Sequence, residues 1–128
     1  MIIDSSAVLA IFFRERDAET VLSTILDADF AGIGAPTAAE TGLVLTSRMQ
    51  KNAAGSLLRF FEETGIEIVP FTNLHWQRAI DAFARFGKGR HPAALNFGDC
   101  MTYATAALAR QPLLCRGDDF RKTDLELA

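Results

Sequence analysis

The sequence predicts a parallel α/β sandwich, a sheet with helices on both of its faces. Three observations lead there. Four short apolar or β-branched stretches alternate with longer stretches of helical periodicity. The chain has 128 residues, 49% hydrophobic and 23% charged, which suits one globular domain spanning residues 1–128 with a real core. It shows no repeats, no low-complexity segment and no linker.

Ile2 and Ile3 form the first short strand. A helix follows from Asp4 to Phe13, with Asp4, Ser5 or Ser6 available to cap it. Residues 17–28 carry Val21, Leu22, Ile25 and Leu26 at amphipathic spacing and make a second helix. "FAGIGAP" is a second extended segment, ended by Pro36, and that proline opens a third helix through "TAAETGLVLTSRMQ". "AAGSLLRFFEETG" is a fourth helix, closed by Gly65. "IEIVP" alternates and is β-branched, so it reads as a strand. "TNLHWQRAIDAFARFG" is a fifth helix with Leu74, Ile80, Phe83 and Phe86 as its inward positions and Gly87 as its stop. "KGRHPAALN" is a loop, "FGDCMTYATAALARQ" a sixth helix broken by Pro112, "PLLCR" the last strand, and "GDDF" a turn out of it.

Composition narrows the function. The net charge of −3 argues against a broad basic face for nucleic acid, so any such role needs a local basic rim around a specific site. No apolar run reaches the roughly 20 residues that cross a bilayer. The N-terminal apolar stretch lacks a basic lead and is interrupted by Asp4, which speaks against a signal peptide. Cys100 and Cys115 have no CxxC or metal-ligand spacing and read as buried thiols in a reducing, cytoplasmic setting.

In parallel α/β sheets, ligands bind outside the carboxyl ends of the strands. Asp4 follows the first strand, Glu40 lies early in the third helix, Asp99 begins the sixth, and Asp118 and Asp119 follow the last strand. Taken singly, each has a plain explanation. Asp4 and Asp99 serve as helix caps worth about 1 kcal/mol each, Glu40 favours a helix dipole, and the pair after Gly117 are turn residues. Gathered in one cleft they need another explanation. Like charges about 4 Å apart repel by roughly 4 kcal/mol at an effective dielectric near 20. Carboxylates so crowded raise each other's pKa unless a cation compensates them, and an all-oxygen set suits Mg²⁺ or Mn²⁺ rather than zinc. Such ions activate water for phosphodiester cleavage.

"MIIDSSAVLAI", "AAETGLVL", "NFGDCMTYATA" and "LLCRGDDFRKTDL" together resemble the PIN domain, specifically the VapC-type ribonuclease toxins of bacterial toxin–antitoxin pairs. The resemblance runs from Met1 to about Leu125, and its one small departure is Ser5 where the family commonly has threonine. It implies a PIN-like fold and an acidic pocket of Asp4, Glu40, Asp99 and a fourth acid. The aspartate before the phenylalanine in "GDDF" matches better, which favours Asp119 over its rival Asp118. By the same resemblance Asp4 and Asp99 ligate Mg²⁺, Glu40 ligates through water or helps deprotonate the attacking water, and Ser6 orients Asp4 or binds a metal-linked water, unless it only caps the helix. The implied partners are an RNA substrate (tRNA or rRNA), a VapB-type antitoxin helix in an apolar groove, and a second copy of the chain.

Arg14, Arg16, Lys88, Arg90, Arg116 and Arg121 are the cations available to hold phosphates. "GKGRHP", just before Asp99, reads either as a substrate-facing flap or as a solvated loop, and it lacks P-loop spacing. His75 and His91 read as non-catalytic. "AVLAIFF" and "LLRFFEE" offer more apolar surface than a small core needs, hence a binding patch. Two rival readings remain: a structure-specific or RNA-processing nuclease without a toxin role, and an inactive binding module whose acids are caps.

Overall fold

The computed structural model describes residues 1–128. Four strands, β1 (Ile2–Ile3), β2 (Gly32–Gly34), β3 (Glu67–Val69) and β4 (Leu113–Leu114), form one sheet in the order β3-β2-β1-β4. All three pairings are parallel. Helices α1 (Ser5–Phe12) and α2 (Ala18–Leu26) join β1 to β2, and α3 (Ala35–Met49) and α4 (Ala54–Thr64) join β2 to β3. The chain then returns through α5 (Asn73–Phe86) and α6 (Phe97–Ala109) to place β4 on the far side of β1. Strand order therefore reverses at β1, and the crevice at that switch point lies where β1 and β4 end.

Although the strands are only two or three residues long, they alternate faces as strands must. Ile3 and Leu114 enter one core with Val8, Ile25, Ile33 and Phe61, while Ile2 and Leu113 enter the other with Phe86, Leu95 and Tyr103. Each fully buried Ile or Leu contributes about 1.5–3 kcal/mol. The central strand is thus held from both faces and both edges, which fixes where its carboxyl end points.

The element order and types match the sequence reading, with two corrections of detail. In α5 only Phe86 of the four expected inward residues is buried. Ala79 and Ala82 complete its core stripe, and Leu74, Ile80 and Phe83 are 65%, 62% and 42% exposed. The small residues let α5 lie close against α6. The large apolar ones fall on the adjoining stripe, so periodicity alone located the wrong side of a wide apolar arc. At α6 the cap is Asn96, not Asp99: the Asn96 side chain accepts from the Asp99 N–H, and Asp99 accepts in return from Asn96 N–H.

The stretch read either as a substrate-facing flap or as a solvated loop is anchored at both ends. Lys88 N–H donates to Leu95 O, Leu95 N–H donates to Phe86 O, and Ala93 and Leu95 are buried. His91 accepts from Ala93 N–H and packs edge-on against Phe86, while His75 completes the capping box with Thr72 at the start of α5. Both histidines are structural.

Strand β2 owes its place to glycine. A Cβ on Gly34 would sit 2.6 Å from the Thr105 hydroxyl of α6. Gly34→Ala is expected to destabilise the protein by about 1–3 kcal/mol through overpacking, read from a chemical denaturation curve.

Candidate active site

Asp4 is the first residue past β1, and its N–H continues the sheet by donating to Leu114 O at 2.9 Å. It is also the N-cap of α1, so the capping explanation and the cleft explanation describe one residue. Its carboxylate is 6% exposed. One oxygen, Oδ2, accepts from Ser6 N–H at 3.1 Å and from the Ser6 hydroxyl at 2.6 Å. The other, Oδ1, accepts from the Thr102 hydroxyl at 2.9 Å. Ser6 Oγ accepts in turn from Arg116 N–H, which joins the end of β4 to the same carboxylate.

Asp99 stands at the third position of α6, fixed by its capping box. Its carboxyl is pushed up to about 6, first by burial and then by the charges of Asp4, Asp119 and Glu40, against the pull of Asn96 N–H. Those three acids come from α1's cap, the short 3₁₀ turn Asp119–Lys122, and α3. Cys115 feels the same field. Its thiol is pushed up to about 11, by burial first and then by Asp4, with Asp119 and Asp99 adding and Arg121 opposing. Glu40 reaches α6 directly: its Oε2 occupies the space that a Cβ on Gly98 would take.

The structure therefore brings Asp4, Glu40 and Asp119 near enough for their charges to act on Asp99, with Asp4 buried, Glu40 and Asp99 half-buried and Asp119 exposed. Asp118 turns outward, its side chain 81% exposed and its Oδ1 3.2 Å from Arg121 Nε. Of the cations, Arg116 is taken up by Glu15 and Asp17, at 2.7 and 2.6 Å. Arg14 is exposed in a left-handed turn after α1, Arg16 is exposed beside it, Lys88 is exposed on the closed loop, and Arg90 lies 5.7 Å above the Phe83 ring.

Two residues central to this arrangement are absent from the sequence reading. Thr102 lies one turn after Asp99 on the same face of α6, a spacing that marks it once Asp99 is known to face the cleft. Gly98 is harder to find, because its need is set by a side chain from another helix.

None of the protein's ion pairs involves Asp4, Glu40, Asp99 or Asp119. A buried carboxylate without a cationic side chain is costly unless something else compensates it. The donors are all oxygens, the set that hard divalent cations select. As placed, no three of them close on a single point; they are a set of donors held on four separate elements. That composition fits a hard divalent cation, for which Asp4, Glu40, Asp99 and Asp119 are the available donors.

Two apolar grooves lie elsewhere. One of about 500 Å³ runs between α3 and α4, lined by Leu43, Leu57, Leu58, Phe61 and Ile68. The other, about 420 Å³, lies between α5 and α6, lined by Trp76, Ile80, Phe83, Phe97 and Met101. "AVLAIFF" contributes to neither, since its residues pack into the first core.

The sheet order and the four acids near the end of its central strand define, first, a parallel α/β protein with an acidic neighbourhood at its switch point. The PIN domain family pattern matches residues 1–126. Ribonuclease VapC36 of Mycobacterium tuberculosis is 48% identical over 127 residues, covering 98% of this chain and 91% of the relative. Ribonuclease VapC28 of the same organism is 39% identical over 129 residues, covering 100% and 97%. Among solved structures, VapC20 of M. tuberculosis superposes with a TM-score of 0.79 at 15% identity, covering 99% of this chain and 97% of that one. A toxin–antitoxin complex from Klebsiella pneumoniae gives 0.74 at 19% identity, covering 99% and 95%. The chain belongs to the PIN-domain family and, within it, to the VapC ribonucleases.

Two predictions follow from the cleft. A carboxyl pushed up on folding costs nothing below its unfolded value of 3.8, costs progressively more as pH rises, and carries its full penalty above about 6. Asp99→Asn is therefore expected to raise the thermal midpoint in EDTA at pH 7 and to leave it unchanged at pH 3.5, by differential scanning calorimetry. Gly98→Ala should preserve helix content by circular dichroism, because alanine favours α6 by about 1 kcal/mol. It should still weaken Mn²⁺ binding in titration calorimetry, because Glu40 is displaced.

Proposed function

We propose that this protein is a divalent-metal-dependent endoribonuclease, the toxin of a type II toxin–antitoxin pair. The observation that carries the reading is the set of four uncompensated carboxylates at the switch point, in a chain nearly half identical to a VapC ribonuclease along almost its full length. A module whose acids were only caps would have no reason to concentrate them against their mutual repulsion.

Asp4 and Asp99 hold the ion, Mg²⁺ in the cell with Mn²⁺ as a substitute. A divalent cation held there would supply a more acidic water near neutral pH and would offset charge on the phosphodiester. Glu40, packed against Gly98 at the start of α6, takes a proton from the attacking water at its carboxylate. Asp119 completes the negative field that attracts the cation. No histidine is required, in keeping with the structural roles of His75 and His91.

The substrate is RNA, tRNA or rRNA. The −3 net charge means that its backbone is gripped locally, and Lys88 and Arg90, exposed on the loop before α6, are the free cations for it. Arg116 takes no part in the grip, since Glu15 and Asp17 hold its guanidinium. The α3–α4 groove fits the apolar face of a VapB-type antitoxin helix, in the usual helix-in-groove mode. The exposed α5–α6 face, with Phe97 79% exposed, fits a second copy of the chain. The protein acts in the cytoplasm, where its RNA substrate is found, and no helix is long and apolar enough to cross a membrane.

Labelled total tRNA and rRNA incubated with the purified protein and Mg²⁺ should yield discrete fragments. EDTA should abolish them, and Asp4→Asn should reduce the rate at least about 100-fold, the scale of losing a group that acts on the reacting centre. Intact RNA in every lane, from protein that binds Mg²⁺, would overturn the ribonuclease reading.

A further inference from the structure

The acidic cleft rests on a buried chain of hydroxyls that starts outside it. Thr37 Oγ1 and Thr102 Oγ1 are 2.9 Å apart, and Thr102 Oγ1 is 2.9 Å from Asp4 Oδ1. Thr37 and Thr102 are 2% and 1% exposed. A threonine hydroxyl has one proton to give, and an ionised carboxylate can only accept. The direction of the chain is therefore fixed: Thr102 donates to Asp4, so Thr37 must donate to Thr102. On the other side of the carboxylate, Arg116 N–H donates to Ser6 Oγ, which donates to Asp4 Oδ2.

Position along the helices gives this chain its meaning. Thr37 lies one turn before Glu40 on α3, and Thr102 one turn after Asp99 on α6, so each hydroxyl shares a helix face with an acid of the cleft. The chain links α3, α6 and the end of β1, and through Ser6 it reaches the end of β4, whose following turn bears Asp119. Every element that carries a cleft carboxylate is joined to it or directly follows one that is.

Packing alone does not call for threonine at these sites. Valine fills the same volume without a hydroxyl to satisfy, and burying a hydroxyl costs free energy unless it is hydrogen-bonded. Lone-pair counting shows what the hydroxyls accomplish. Oδ2 of Asp4 accepts two hydrogen bonds from Ser6 and is full, whereas Oδ1 accepts one, from Thr102, and keeps one lone pair free. Thr102 thereby sets the rotation of the carboxylate and which oxygen it presents.

We propose that Thr37 and Thr102 are positioning residues that orient Asp4 so that Oδ1 alone serves the divalent cation. The inference rests on the metal site proposed above but not on RNA being the substrate. Outer groups that orient a ligand typically change metal affinity about 10–100-fold.

The test is Mn²⁺ titration calorimetry on the full chain and three variants, with thermal midpoints measured in EDTA. Thr102→Val should lower the EDTA midpoint through the lost hydrogen bond and, at a temperature where it remains folded, weaken Mn²⁺ binding about 10–100-fold. Thr102→Ser, which keeps the donor, should bind within a few-fold of wild type. Thr37→Val, which leaves Thr102 its proton but removes the group that fixes it, should weaken binding by a smaller factor. Wild-type affinity in Thr102→Val overturns the proposal, as does a Thr102→Ser as weak as the valine variant. If Thr102→Val fails to fold, Thr37→Val decides, and unchanged affinity there overturns the chain. A wild type that binds no Mn²⁺ overturns this inference together with the metal site. Threonine-dependent Mn²⁺ binding without RNA cleavage upholds it and overturns the ribonuclease reading alone.

Discussion

A carboxylate buried at the end of the central strand is the constraint on which the rest of this molecule depends. Taking Asp4 out of water costs on the order of several kcal/mol before compensation. Three hydrogen bonds from Ser6 and Thr102 recover part of that and make its orientation unique. The recovery requires α6 to lie over the end of β1, and Gly34 allows β2 to approach α6 closely enough for that. Gly98 meets the same demand at the other end of α6 by making room for Glu40. The sheet is short and two-sided because it has one task, to hold this strand end rigidly where four elements converge.

Much of this was legible in the sequence, for reasons that differ by element. Strands of two residues were found because Ile2–Ile3 and Leu113–Leu114 are flanked by helix signals, and both strand and order follow once alternation is recognised. Asp4 and Asp99 stand out in the sequence because strand ends and first helical turns are short-range features. The residue that caps α6 was missed by three positions: Asn96 and Asp99 exchange hydrogen bonds, and either could be the cap when read singly. The burial of α5 was misjudged because large apolar residues were taken for the core, whereas close helix packing selected Ala79 and Ala82.

What remained hidden is tertiary in origin. The commitment of Arg116 to Glu15 and Asp17 depends on the turn after β4 meeting the turn after α1, which no local pattern encodes. The choice between Asp118 and Asp119 is of the same kind. In "GDDF" both look like turn residues and both are exposed, and only the fold shows Asp118 paired with Arg121 while the charge of Asp119 reaches Asp99. Buried hydroxyls at Thr37 and Thr102 read as ordinary helix content until the helices are brought face to face.

The pairing of β1 with β4 makes the neighbourhood of Asp4 a joint product of distant stretches of the chain. Asp4 stands at the end of β1, yet its neighbouring strand, the backbone N–H that completes the Ser6 bond, and Asp119 all come from residues 113–119. A break in the chain that lets β4 leave the sheet removes the strand, the hydrogen bond and the fourth carboxylate together, so the integrity of the backbone between them is itself a condition of the site.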